Sequence, residues 1–137
     1  MFVAVGGRAD RDDVSRALAR EDDTVMTGER AATAIAAERA ATLARIDALT
    51  ADFTAVVSSG LGTAVDDEHD PEGATLAFER AQIAALLADA QAYLAELDGA
   101  ARRVEQDSYG ICEQCAAPIA DERLRARPAA RRCIRCA

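Results

Sequence analysis

Four cysteines fall in two matching pairs, Cys112-x-x-Cys115 and Cys133-x-x-Cys136, with seventeen residues between the pairs. A C-x-x-C turn aims two thiolates at one point, and two such turns close a tetrahedral shell around a single ion. Four protein ligands leave no open position for water or substrate, so the spacing predicts one structural Zn²⁺ held by Cys112, Cys115, Cys133 and Cys136. Paired knuckles favour Zn²⁺, although iron can enter a four-thiolate site in a foreign host. The competing uses of four such cysteines are a redox dithiol and two disulfides. The first residues, MFVAVGGRADRDD, have too short an apolar stretch for a signal peptide and no basic lead-in. A cytoplasmic setting and metal-bound thiolates are therefore expected. Structural zinc supplies about 10–16 kcal/mol of apparent free energy, enough to order a segment with almost no core. Between the pairs, Ile119 and Leu124 are the only bulky apolar side chains; they are expected to pack under the metal with Tyr109 and Ile111.

The remainder of the chain reads as helix. Half of the 137 residues are apolar, yet there are only three Phe, two Tyr and no Trp. Such a composition suits long helices joined through Ala and Leu seams better than a large globular core. No Gly or Pro interrupts Glu29 to Val57. Ile35, Thr42, Leu49 and Val56 recur every seven residues there, interleaved with Ile46 and Phe53 and diluted by Arg39 and Thr42. Ser58, Ser59, Gly60 and Gly62 are expected to end that helix. A second helix is expected from Pro71, with Asp70 as N-cap, to Gln106. Its seam is Leu76, Ile83, Ala90, Leu97 and Val104, with Leu87, Leu94 and Ala101 in the other heptad position. The expected fold is mainly α: a long antiparallel helical hairpin, or coiled coil, followed by a small four-cysteine module. A bundle of three or four helices is the alternative. The divisions are a flexible tail over 1–27, with a short helix at Asp13–Arg20, the hairpin over 28–107 with an acidic tip at 66–72, and the zinc module over 108–137. Met26 offers a second translation start.

Charge narrows the function. The net charge is −8, and all sixteen basic residues are Arg, as a GC-rich genome would encode. From Ser108 onward six Arg face three acidic residues, giving +3 and leaving −11 for the rest. An acidic chain lacks the phosphate-neutralising term that wrapping duplex DNA requires, so direct DNA binding is not expected. No apolar run is long enough to span a membrane. No Ser/His/Asp or Cys/His constellation, phosphate loop or open metal site is present, so an enzyme is not expected. Arg123, Arg125, Arg127, Arg131, Arg132 and Arg135 form either a basic face for phosphate or a partner, or a solubilising surface. Asp66, Asp67, Glu68, Asp70 and Glu72 crowd the connector. Such a cluster either reorganises a Mg²⁺ site or meets basic residues, or merely caps the second helix and keeps the loop soluble. His69 beside them is more simply a solvated side chain than a ligand.

The stretch Tyr109-Gly110-x-Cys112-x-x-Cys115, then Pro118-Ile119, Arg123-Leu124-x-Ala126-x-Pro128 and Cys133-x-x-Cys136 resembles the four-cysteine zinc finger of the DksA/TraR family. An acidic-tipped hairpin before the finger is similar to that family in outline. The resemblance implies a transcription regulator that binds RNA polymerase rather than DNA. In that family the hairpin tip passes through the secondary channel toward the catalytic Mg²⁺, and some members act with ppGpp. The family's tip motif, Asp-x-x-Asp-x-Ala, aligns with Asp67, Asp70 and Glu72, where Glu72 replaces Ala. Starting instead from Asp70-Pro71 puts Gly73 and Thr75 at the later positions. The Gly that usually follows the second cysteine is Ala116, and the sequence stops one residue after Cys136, short of the C-terminal helix of longer members. The expected function is thus a zinc-binding regulator acting on RNA polymerase through Asp67, Asp70 and Glu72. A zinc-stabilised protein–protein adaptor with the same fold is the alternative.

Overall fold

The structure, a computed structural model, describes residues 28–60 and 71–137. Helix α1 spans Gly28–Gly60 and α2 spans Pro71–Glu105, each about 50 Å long at 1.5 Å per residue. A short α3, Asp121–Ala126, lies within the cysteine segment. The two long helices run antiparallel. Gly28 lies beside Val104, Glu38 accepts a hydrogen bond from Tyr93, and Arg39 meets Asp98. Further along, Thr42 and Arg45 share a groove with Asp89 and Ala90.

The heptad seam is where the spacing put it. Ile35, Thr42, Ala90 and Leu97 are buried, and the other seam residues of both helices are half-buried. Two residues that dilute the stripe fit it in different ways. Thr42 enters the seam because its hydroxyl donates to the Glu38 carbonyl at 2.8 Å, so no polar group is left unpaired. Arg39 stays outside and donates to Asp98 at 2.6 Å, bridging the helices at their rim. Helix α1 does not stop at Val57 but continues to Gly60. Ser58 and Ser59 donate their hydroxyls to the Thr54 and Val56 carbonyls within the same helix, so both serines are accommodated without breaking the last turn. Helix α2 begins at Pro71, as the fixed φ of proline allows at a first helical position. The segment 1–27 with the expected helix at Asp13–Arg20, the N-cap Asp70 and the tip residues Asp67 and Asp70 lie outside the described residues. The backbone of Glu72 stands in the first turn of α2.

Among the described residues a third layer exists only at one end. Ile35, Leu97, Ala100 and Ala129 form a buried cluster, with Tyr93, Val104 and Tyr109 packed against it. Ala129 comes from the segment between the cysteine pairs, so the cysteine module closes the base of the hairpin. The α2 chain leaves its helix through Asp107 in a left-handed conformation, φ 53°. The amides of Ser108 and Tyr109 then both donate to the Arg103 carbonyl.

Candidate metal centre

Each cysteine pair sits in a tight turn. In the first, the Cys112 amide donates to the Ala117 carbonyl and the Ala116 amide to the Cys112 carbonyl. An antiparallel bridge joins Ile111 to Pro118, and the Ile119 amide donates to the Gly110 carbonyl. Closing so short a loop requires positive φ at two points. Gly110, at φ 83°, supplies one without strain, whereas Ala116 takes φ 56° against the preference of an L side chain. In the second turn the Cys136 amide donates to the Cys133 carbonyl.

Under the sulfurs lie Ile119 and Leu124, both buried with Cys112 and Cys133, and Tyr109 packs against them. Ile111 does not join them: its side chain is 44% exposed, because the bridge to Pro118 turns that face of the strand-like segment outward. Leu124 is delivered by α3, an element the spacing did not announce except through Asp121 and Glu122 in its first turn.

The four Sγ atoms all lie within 4.8 Å of one another, and those of Cys115 and Cys133 are 3.7 Å apart. Tetrahedral Zn²⁺ with bonds of about 2.3 Å spaces its sulfurs about 3.8 Å apart, so the donor set fits one ion. The thiols divide their protons unevenly. The amides of Cys133, Cys115 and Gln114 pull Cys112 down to about 6. Burial raises Cys133, but the Arg135 amide and the Cys115 thiol outweigh it and leave that thiol lowered. Hydrogen bonding to Cys115, then burial, pushes Cys136 up to about 12. A divalent cation removes this conflict by letting all four ionise.

Polar groups brace the finger and fasten it to the hairpin, and of these only Arg131 and Tyr109 figured as candidates in the sequence. Arg131 chelates the Glu113 carboxylate through Nε and a terminal nitrogen, at 2.7–3.0 Å, and the Glu113 amide donates to the Arg131 carbonyl. The hydrogen bond from Arg131 holds the Glu113 carboxyl below its usual range. From α2, Arg103 donates to the Ala129 carbonyl at 3.2 Å and reaches Glu113 at 4.0 Å. Tyr109 donates its hydroxyl to the Pro128 carbonyl at 3.0 Å. Of the basic residues, Arg123 is half-buried and donates Nε to the Arg132 carbonyl, tying α3 to the second cysteine turn. Arg123, Arg127, Arg131 and Arg132 line a cleft of about 670 Å³ whose other wall carries Glu38, Tyr93 and Glu96. Arg125 is exposed on α3 and does not line that cleft.

Residues 107–137 match the family described as the prokaryotic dksA/traR C4-type zinc finger. This segment is a zinc finger of the dksA/traR C4 type. An uncharacterized protein of Aquifex aeolicus (strain VF5) is 46% identical to this chain over 46 residues. That match takes in 34% of this chain and 32% of the relative, so the chain spans about a third of that relative's length. The structure of transcription factor DksA2 from Pseudomonas aeruginosa superposes with a TM-score of 0.67 and 22% identity, over 80% of this chain and 78% of that one. At that identity the likeness is one of fold. In the DksA/TraR-type finger described here, the four cysteines stand close enough to hold one zinc ion. Among the described residues no helix is long and apolar enough to cross a membrane.

Proposed function

We propose that the protein regulates transcription by binding bacterial RNA polymerase through its secondary channel, and that it does not act as an enzyme or bind DNA directly. Cys112, Cys115, Cys133 and Cys136 hold the zinc in this reading. The observation that carries it is the architecture: a DksA/TraR finger closes the base of a hairpin about 50 Å long. Such a hairpin is narrow enough to enter a channel, and in sequence Asp67 and Asp70 fall between its two helices. The closed four-thiolate set gives the zinc a structural task, because no coordination position remains for a substrate. The acidic balance of the chain, −8 overall, favours a protein partner over duplex DNA.

A fluorescently labelled full chain titrated with purified RNA polymerase tests the proposal. Saturable binding is expected, with no salt-sensitive binding to duplex DNA. The same titration with ppGpp added tests whether that nucleotide is a co-effector. One observation favours the adaptor alternative: Glu72 stands where the family's tip has Ala. Absence of polymerase binding by the wild type would leave the adaptor as the better reading.

A further inference from the structure

The second cysteine turn holds a bulky apolar side chain out in water. Ile134 is 81% exposed, the most exposed of the large hydrophobic residues described, although its neighbour Cys133 is only 6% exposed. The Cys136 amide closes the turn onto the Cys133 carbonyl and so fixes Ile134 on the outer side. Ile134 forms one wall of a groove of about 610 Å³ whose apolar lining continues through Pro118, Ala120 and Ala126. These partners are small or ring-closed and leave space beside Ile134 for an incoming side chain. The charged residues of the groove are Arg123, Arg127 and Arg135 against the single acid Glu122. Arg123 already donates its Nε to Arg132. Arg127 and Arg135, both exposed, are the charges left at the rim. An apolar floor with a basic rim complements a short amphipathic helix whose apolar residues are flanked by carboxylates.

The chain carries such a sequence itself, ahead of α1. Between residues 12 and 23, Val14, Ala17 and Leu18 are spaced i, i+3, i+4. At helical periodicity these three share one face, and Arg16 and Arg20 fall on the other. Five carboxylates bracket them, Asp12 and Asp13 before and Glu21, Asp22 and Asp23 after. The tether also has the right origin. A Cβ at Gly28, the first residue of α1, would lie 4.0 Å from the Val104 side chain. Val104 and Tyr109 pack on the same buried cluster, and Tyr109 packs in turn against Leu124 of α3. Helix α3 carries Ala126, which lines the groove. Helix α1 therefore starts beside the finger. The residues between Leu18 and Gly28 span roughly 30 Å when extended, enough to bring Leu18 across the finger. A tether this short gives an effective concentration on the order of millimolar, so a modest complementarity suffices for docking in cis.

We infer that segment 12–23 docks on the finger of its own chain, in the groove beside Ile134. Val14 and Leu18 fill the space next to Ile134, and the flanking carboxylates meet Arg127 and Arg135. The docked segment covers apolar surface through which two fingers would otherwise associate. This inference stands apart from the polymerase reading.

Hydrogen exchange of the zinc-loaded full chain, read by mass spectrometry, tests it. Amides 14–20 are expected to exchange about tenfold or more slowly in the wild type than in Ile134→Asp. Leu18→Asp, which leaves the finger itself untouched, is expected to release the same amides, whereas Ile134→Val keeps them protected. The double charge reversal Arg127→Glu/Arg135→Glu is expected to speed their exchange, more at low salt than at high salt. Adding Asp22→Arg/Asp23→Arg to that variant is expected to restore protection. Unchanged zinc content shows that the finger is intact in each variant. Amides 14–20 that exchange freely in the wild type overturn the inference. So does protection that survives both Ile134→Asp and Leu18→Asp. Protection that falls on dilution, together with a dimer in sedimentation, makes a second copy the occupant and overturns docking in cis.

Discussion

The two halves of the hairpin carry the same heptad spacing but bury it differently. Near the finger Ala31, Ile35, Thr42, Ala90, Leu97 and Ala100 are buried. Farther out, among the described residues, none from 43–60 or 73–89 is buried, although Ile46, Leu49, Phe53, Leu76, Ile83 and Leu87 are bulkier than the alanines of the base. Side-chain size therefore does not decide burial here. Two helices can cover only the stripe between them, and each seam residue keeps one flank in solvent. A third layer supplies the missing flank, and among the described residues only the base has one, through Ala129, Tyr109 and the polar clasp of Arg103. The base is a small three-layer core. The distal half is a two-helix rod whose order depends on the base and on helix propensity.

Removing the zinc should have the largest effect on that contrast. Chelation, or Cys112→Ser, takes away about 10–16 kcal/mol of apparent metal-binding free energy and should unfold the finger. The base then loses its third layer, and hydrogen exchange of residues 31–42 and 90–104 should rise toward that of the distal rod. Exchange that stays slow at the base without metal would break the comparison.

Truncating equivalent seam positions sharpens it. Leu97→Ala should cost about 2–5 kcal/mol in denaturant unfolding, and Ile83→Ala, two heptads outward on the same seam, clearly less. Equal losses would mean that the half-buried rod is as tightly packed as the base. A smaller effect is expected at the clasp. Arg103→Met should cost about 1–2 kcal/mol, because it strips a donor from the Ala129 carbonyl and a charge from beside Glu113. The smallest change should be a gain. Ala116→Gly relieves a left-handed alanine and should raise the stability of the zinc-loaded protein by about 0.5–1 kcal/mol.

Much of this was legible in the sequence because the governing patterns are local. Two C-x-x-C turns specify a thiolate cluster, and heptads specify a seam. Ala116 stood out because a glycine usually fills that place, and its φ of 56° shows what the glycine is for. The rest depended on contacts distant in sequence. Arg39 read as a flaw in a stripe and is an interhelical pair with Asp98, 59 residues away. Ile111 read as core and faces outward, because strand-like pairing, not hydrophobicity, sets its side. Arg103 and Glu113 carried no spacing signal, and Arg131 read only as part of a basic face, yet together they lock the finger to α2. The loss of burial along the hairpin was equally invisible, since periodicity records which face is shared and not how many layers cover it.

In the proposed function the zinc finger serves as scaffold, and Asp67 and Asp70 carry the activity. Transcription in vitro with purified RNA polymerase, comparing the wild type with the Asp67→Asn/Asp70→Asn variant, tests that assignment most directly. The predicted result is that the variant still binds polymerase and keeps its zinc but no longer changes transcript yield. A variant that regulates as well as the wild type, or a wild type that leaves transcription untouched, would contradict it.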